Sequence, residues 1–271
     1  MRSNTNKLNK LQKTELAMLK DLNSFCKENN IEYFLGEGTL LGAIRHQGFI
    51  PWDDDVDVLM KRPDYERFIR LAPKLYDKKY EIQHSTTIKD YWSPIVKIRL
   101  INCNDPSLRQ QHISHLTKNN GPVIDVFPLD YVPRARGLVQ YWQYYYIMCL
   151  RRSLSLKLGL KKAKGLIDTI LMLITRSCEI KTIHEEINKT IKFYGEDERD
   201  YIALYSTYHG SSLPIVEATT FAQTIEVDFE DGKYPVPQGY DVILTRLYGD
   251  YMTPPKESEC RGSHFFGEKQ A

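Results

Sequence analysis

The stretch FLGEGTLLGAIRHQGFIPWDDDVDV, residues 34–58, decides the fold. A short apolar strand over 31–35 is interrupted by the glycine turn 36–38, and Thr39 is placed to cap a short helix. After Pro51 the acids alternate with apolar residues at a period of two, which predicts a second strand. That strand would carry three carboxylates on one face, those of Asp53, Asp55 and Asp57.

Four acids in five positions, residues 53–57, are costly in an otherwise apolar segment. Neighbouring carboxylates repel one another and resist loss of water, and a divalent cation removes both costs. Oxygen ligands without nearby His or Cys favour Mg²⁺ or Mn²⁺ over zinc. The alternatives are a solvated acidic loop and a calcium loop, but the flanking Val56 and Val58 argue against the first and the spacing argues against the second.

Elements on either side extend this unit. Leucines at helical spacing predict a packing helix over about 7–29, and another helix opens at Pro63. Ser93–Ile101 resembles a strand that directs Lys97 and Arg99 to one side. Gly121–Phe127 reads as a buried strand with one acid, Asp125. A lone buried acid is more often an ion-paired residue. After an acid-x-acid strand, however, it follows the order expected of nucleotidyltransferase-type folds.

The chain divides into three parts by composition. Residues 1–132 form the predicted nucleotidyltransferase-like catalytic core. Residues 133–200 form a helical insertion, which is basic and aromatic because 133–165 holds eight Arg and Lys and no acid. Residues 201–271 would complete the core with a hairpin turning at Asp231-Gly232 and a final helix. The predicted fold class is α/β (α+β), a mixed sheet flanked by helices.

Composition excludes several classes of protein. With 37 basic and 35 acidic residues among 271, the net charge of +2 does not favour nucleic acid as a partner. Five scattered cysteines form no zinc motif, and no apolar run is long enough to span a bilayer. We therefore expect a cytoplasmic protein. The basic, aromatic insertion also fits the inner face of an anionic membrane, although an ordinary amphipathic helix pair explains it equally well.

The segment 34–58 closely resembles the signature of the LicD family, the cholinephosphotransferases that decorate bacterial surface glycans and whose relatives include fukutin-type ribitol-phosphate transferases. Two further stretches match in order: VIDVFPLDYVP at 123–133, and LYGDYMTPP at 247–255, which is followed by Arg261 and His264. The resemblance covers most of the chain apart from 135–200.

The resemblance implies a site. Its catalytic acids would be Asp53, Asp55, Asp57 and Asp125, with Asp55, Asp57 and Asp125 as ligands of Mg²⁺ or Mn²⁺. Its substrate-binding residues would be Gly38 and Thr39 in a phosphate turn, Lys97 and Arg99 as a pyrophosphate clamp, and Arg261 and His264 closing the site. Arg45 would contact phosphate. The general base would be one of the acids, Asp125 or Asp53.

The implied reaction moves phosphocholine, or a related alcohol phosphate, from a CDP-linked donor to a hydroxyl of a glycan or lipid-linked glycan, with release of CMP. Lipopolysaccharide, teichoic acid and capsule are acceptors of this kind. Choline, ribitol and glycerol stay open as the alcohol, and aromatics at 141–146 could cage a choline or simply pack. The alternatives are a nucleotidyltransferase that acts on a small phosphorylated substrate, and a non-catalytic relative that binds membrane or glycan.

Overall fold

The computed structural model describes residues 8–75, 79–91, 93–110, 113–133, 137–195, 197–205 and 215–256. The helices in these ranges are Lys10–Glu28 (α1), Glu37–His46 (α2), Arg62–Leu75 (α3), Leu138–Lys157 (α4), Gly165–Thr175 (α5), Ile180–Ile191 (α6) and Tyr240–Tyr248 (α7). The strands are Phe34–Leu35 (β1), Val56–Lys61 (β2), Tyr80–Gln83 (β3), Val96–Leu100 (β4), Val123–Val132 (β5), Tyr201–Ala203 (β6), Ile215–Glu217 (β7), Thr224–Phe229 (β8) and Gly232–Pro237 (β9).

A mixed sheet forms the centre of the molecule, with the strand order β1-β2-β5-β4-β3. Strands β2 and β5 are parallel, whereas β4 pairs with β5 in the antiparallel sense. The last residues of β5 pair with β6, and β6 pairs with β7, so that one long strand belongs to both ends of the sheet. The α/β class with a mixed sheet and flanking helices is confirmed.

Local sequence explains where the first helices begin and end. Asn9 and Gln12 form a capping box at the start of α1, each side chain accepting the other's backbone N–H. The next helix, α2, ends at Gln47, whose φ of 55° places it in the left-handed region. The predicted strand-turn-helix unit is therefore present, but β1 has only two residues.

Two details of that unit were predicted wrongly. The strand β2 begins at Val56, so that Asp53, Asp54 and Asp55 lie in the loop before it rather than on its face. The helix α2 begins at Glu37 with Gly36 as its cap, and therefore Gly38 and Thr39 lie inside its first turn instead of forming a turn. Both errors have one cause, because period-two alternation and a glycine pair do not mark where the backbone changes conformation.

The hydrophobic residues form two main cores. The larger core joins α1, α2 and α3 to the central sheet and to the β8–β9 hairpin. The second core joins α4 and α6 to the far end of β5 and to β6 and β7. The predicted helical insertion thus corresponds to α4, α5 and α6, which stack beside the end of the sheet. Among the described helices, each is too short or too polar to cross a bilayer.

Candidate functional site

Three adjacent strands place charged side chains in one row. Asp57 of β2 is aligned with Asp125 of β5, and Asp125 is aligned with Lys97 of β4. Aligned residues of paired strands point to the same face of a sheet. Lys97 Nζ donates to both carboxylate oxygens of Asp125, at 2.6 and 2.5 Å. The sheet itself therefore brings two of the predicted acids together.

The acid loop, residues 53–55, lies at the end of this row. Each of its carboxylates can place one oxygen within 4.8 Å of the other two. Glycine at position 38 makes room for the loop, since a Cβ there would lie 2.8 Å from Asp53 Oδ2. Thr39 fixes the adjoining strand, because its Oγ1 accepts the backbone N–H of Asp57 at 2.9 Å. Gly38 and Thr39 thus contact the predicted acids directly.

Charge repulsion is visible in the acids' pKa values. Burial, followed by the charges of Asp55 and Asp54, raises the pKa of Asp53 to about 8. Burial and the charges of Asp55 and Asp125 raise the pKa of Asp57 well above its ordinary value. Both shifts mean that the ionised acids destabilise one another in the absence of a compensating positive charge. A divalent cation supplies such a charge.

The acid loop fits a hard divalent cation. Its donors are all carboxylate oxygens and they converge, which suits Mg²⁺ or Mn²⁺. Asp55 belongs to the converging group, together with Asp53 and Asp54, and its charge is the first that acts on Asp57. Asp125 contributes to the same field but is held by Lys97. The assignment of Asp55, Asp57 and Asp125 as the metal ligands stays a prediction.

A cleft of about 350 Å³ opens beside the acid loop. Its lining includes Gly38, Arg45, Trp52, Asp53, Tyr248, Asp250, Tyr251, Thr253 and Pro255. The first and third of the matching sequence stretches, 34–58 and 247–255, thus form two walls of one cleft. Three aromatic side chains and two carboxylates share this lining, whereas the aromatic residues at 141–146 do not contribute to it.

Arg45 crosses from one wall of the cleft to the other. Its Nη1 donates to the backbone carbonyl of Tyr251 at 2.8 Å, and its Nε donates to His46 Nε2 at 2.9 Å. Burial and the Arg45 charge lower the pKa of His46. The guanidinium is the basic group in the cleft lining, which suits the predicted contact with phosphate.

The remaining predicted residues differ in their accessibility. Arg99 is fully buried, and its guanidinium donates to Gln83, Gln110 and the carbonyl of Gly121. Its Nη2 has no partner among the described residues, but full burial keeps Arg99 away from solvent and outside the cleft lining. Lys97 is partly exposed and lies in the row of charges. Arg261 and His264 lie outside the described residues.

One acidic residue of the site was missed in the sequence. Glu15 of α1 is fully buried and lies one turn after Gln12, whose Nε2 donates to the carbonyls of Asp53 at 3.2 Å and Ile50 at 3.4 Å. Burial, and then the charges of Asp55, Asp54, Asp53 and Asp125, raises the pKa of Glu15 well above its ordinary value. The available signal was its position on the apolar face of a helix whose other acids lie outside that face.

Known proteins resemble this chain in sequence. Residues 30–141 match the family described as "LicD/FKTN/FKRP, nucleotidyltransferase domain". The lipopolysaccharide cholinephosphotransferase LicD of Haemophilus influenzae is 30% identical over 265 residues, an alignment that covers 94% of this chain and 96% of that protein. An uncharacterized protein of Rickettsia typhi is 41% identical over 68 residues, which cover 25% of this chain and 22% of that protein.

Proposed function

This chain belongs to the LicD family, and from that premise we propose that it transfers phosphocholine from CDP-choline to a hydroxyl group of a surface glycan, with release of CMP. Membership makes the chain a transferase. The donor, the acceptor and the cation are the proposal. The observation that carries it is the cleft, in which aromatic side chains, Arg45 and the acid loop face one space.

The cleft has the chemistry that a choline headgroup requires. Quaternary ammonium groups are held by the faces of aromatic rings, and nearby carboxylates add attraction. Trp52, Tyr248 and Tyr251 line the cleft together with Asp53 and Asp250. Ribitol and glycerol carry hydroxyl groups instead, which rings hold poorly. The lining therefore favours choline over these two alcohols.

The chain's own groups would support an in-line displacement. Arg45 would hold the phosphates of the donor, and Mg²⁺ or Mn²⁺ at the acid loop would offset the negative charge that develops on them. The acceptor oxygen forms a bond to the phosphorus that bears choline, and the bond from that phosphorus to CMP breaks. The hydroxyl proton passes to a carboxylate. Asp53 is better placed than Asp125 for this, because it lines the cleft whereas Lys97 occupies both Asp125 oxygens.

Donor specificity tests the proposal. We expect the purified protein with Mg²⁺ and a phosphocholine-free lipopolysaccharide to release CMP from CDP-choline, and far more slowly from CDP-ribitol or CDP-glycerol. In Trp52→Leu we expect kcat/KM for CDP-choline to fall about 5- to 30-fold, the loss of a ring worth about 1–2 kcal/mol. The rate with the other donors should stay within about twofold, since the ring serves the ammonium group.

Phe193→Leu is the matched control, because Phe193 is 66% exposed and lies outside the cleft lining and outside α4 and α5. Release of pyrophosphate in place of CMP would support the nucleotidyltransferase alternative. An equal loss for all three donors in Trp52→Leu would contradict the choline site. A protein that turns over none of these donors would be better explained as a non-catalytic relative.

We also propose that α4 and α5 rest on an anionic membrane surface, where a lipid-linked acceptor would be presented. The two helices expose large apolar side chains that soluble surfaces normally cover. The most exposed are Leu138, Trp142, Leu166, Ile167, Leu173 and Ile174, each between 64% and 83% exposed. At about 1.5 Å per residue, α5 is about 16 Å long, too short to cross a hydrocarbon core of about 30 Å. A helix of this kind lies along the surface.

The charge around this apolar face supports an anionic membrane as its partner. The segment 157–176 holds five basic residues and one acid, Asp168. That acid is paired with Arg152, whose Nε donates to it at 2.9 Å, and it also accepts the backbone N–H of Lys164 at 2.6 Å. The net positive rim suits anionic headgroups, whereas it would repel the same rim of a second copy.

Vesicle binding tests the membrane contact. We expect the protein to sediment with phosphatidylglycerol-containing vesicles and to be released by salt. Leu173→Glu should weaken this binding by about tenfold or more, because it replaces an exposed apolar side chain that would enter the membrane with a negative charge that anionic headgroups repel. Val242→Glu on α7 is the control, since Val242 is also exposed, at 52%, but lies on another helix. Absence of binding at low salt, with dimerisation instead, would contradict the proposal.

A further inference from the structure

The buried face of α1 carries a carboxylate with no hydrogen-bond donor. Glu15 is 0% exposed, and neither of its oxygens has a partner within the part of the chain that the structure describes. Its neighbour on the same face, Gln12, binds the backbone of the acid loop. Residues three apart on a helix lie side by side. Glu15 is thus held against residues 53–55 from a helix distant from them in sequence.

This arrangement is unfavourable for the protein alone. A buried carboxyl without a donor loses its hydration without compensation, and the nearby acids add repulsion. Lys97 bonds to Asp125, and Arg99 bonds to Gln83, Gln110 and Gly121 through Nε and Nη1, while its Nη2 has no partner among the described residues. No described basic side chain bonds to Glu15. Among the described residues the group that would compensate for its burial is therefore missing, and a bound cation would supply it.

We propose that Glu15 is a further carboxylate of the cation site, contributed by α1. The inference rests on the proposed function to the extent that it assumes a divalent cation at the acid loop. Glu15 is not among the three residues whose oxygens converge within 4.8 Å. We place its contact with the cation through a water molecule, which Mg²⁺ retains readily when bound by proteins. In this position Glu15 is a positioning residue: it orients water around the cation and balances its charge.

Helix α1 gains a role from this assignment. The matching family region begins at residue 30, after α1 has ended at Glu28. The site would thus extend beyond that region, and α1 would be required for cation binding in addition to packing. Gln12 would serve the same end, because its bonds to the carbonyls of residues 50 and 53 hold the helix and the acid loop at a fixed separation.

Cation binding by the full chain tests the inference without any measurement of activity. Mn²⁺ titrations followed by electron paramagnetic resonance, with calorimetry in parallel, would compare wild type, Glu15→Gln and Glu28→Gln. We expect Glu15→Gln to weaken Mn²⁺ binding about 10- to 100-fold, as is typical when an outer partner of a metal site is removed. Glu28→Gln removes the same charge from an exposed position on the same helix and should bind as wild type does.

Thermal unfolding separates this role from a purely structural one. In chelator, we expect Glu15→Gln to be at least as stable as wild type, because an uncompensated buried acid has been removed, while the stabilisation by added Mn²⁺ is diminished. A structural role predicts the reverse, a lower unfolding temperature with unchanged Mn²⁺ affinity, and would overturn the inference. If Glu15→Gln does not fold, Glu15→Asp takes its place. A Glu15→Asp variant that binds Mn²⁺ as tightly as wild type would also overturn the inference.

The result is distinguishable from the outcome for the proposed function. Mn²⁺ binding that is unchanged in Glu15→Gln refutes the role of Glu15 but leaves CMP release untouched. If wild-type protein binds Mn²⁺ through Glu15 but releases no CMP, the proposed phosphotransfer is refuted while the cation site stands. Failure of wild type to bind Mn²⁺, with or without CDP-choline, overturns the assignment of Glu15.

Discussion

Replacing Asp57 with asparagine is expected to lower the rate of CMP release more than about a thousandfold, the effect of losing several kcal/mol of charge stabilisation in the transition state. Asp57 is aligned with Asp125 across paired strands. After burial, the charge of Asp55 has the largest effect on the pKa of Asp57. Asparagine keeps the shape of the side chain and the backbone N–H bond to Thr39. The fold should survive, and removal of one repelling acid should raise stability in chelator.

Initial rates with CDP-choline and Mg²⁺, together with circular dichroism, would measure this. Asp228→Asn is the matched control, because Asp228 is an exposed acid on β8 whose ion pair with Lys233, at 3.6 Å, is long and solvated. Its rate should equal that of wild type. Full activity in Asp57→Asn would remove Asp57 from the catalytic acids and undermine the charged row as the site of the reaction.

Arg62→Met is expected to reduce the free energy of unfolding by about 3–5 kcal/mol, the cost of leaving one partner of a buried ion pair alone. Arg62 is 3% exposed, and its Nε and Nη2 donate to the two oxygens of Asp130 at 2.7 and 2.8 Å. The pair joins α3 to β5, so that its loss leaves a charged carboxylate in the core. Urea denaturation monitored by tryptophan fluorescence would give the value.

The double variant Arg62→Met/Asp130→Leu should recover much of this loss, since it leaves no charge uncompensated. Asp231→Asn provides the control at the surface, where Lys20 and Asp231 are 48% and 61% exposed. Asparagine is a favoured residue in hairpin turns. The substitution should therefore change the free energy of unfolding by less than about 1 kcal/mol. An Arg62→Met variant as stable as that control would show that the buried pair contributes little.

The sequence predicts the fold of the catalytic part well because its signals are local. Helical spacing located α1, and an apolar run with one acid located β5. The hairpin turn predicted at Asp231-Gly232 lies one residue earlier, at Glu230-Asp231, because Gly232 is already paired with Phe229 in β9. These features depend on neighbours within a few residues. The start of β2 was predicted three residues too early, because alternation of Asp with Val has the same pattern in a strand and in the loop that precedes it.

Long-range contacts explain what could not be predicted in the site. Nothing in the sequence pairs Lys97 with Asp125 until β4 and β5 are known to be aligned. Arg99 has the spacing of a phosphate clamp, but its burial depends on Gln83 and Gln110 from other segments. Glu15 resembles any other glutamate of an amphipathic helix, and only the packing of α1 on the acid loop distinguishes it.

The length of β5 has a further consequence. Its first half carries Asp125 and pairs with β2 and β4, while its last residues pair with β6 and enter the second core through Val132. At about 3.3 Å per residue, Asp125 and Val132 stand about 23 Å apart on one continuous strand. Because β5 is paired along its whole length, it does not bend between these two residues. The distance from Asp125 to the helices that pack around Val132 is therefore fixed.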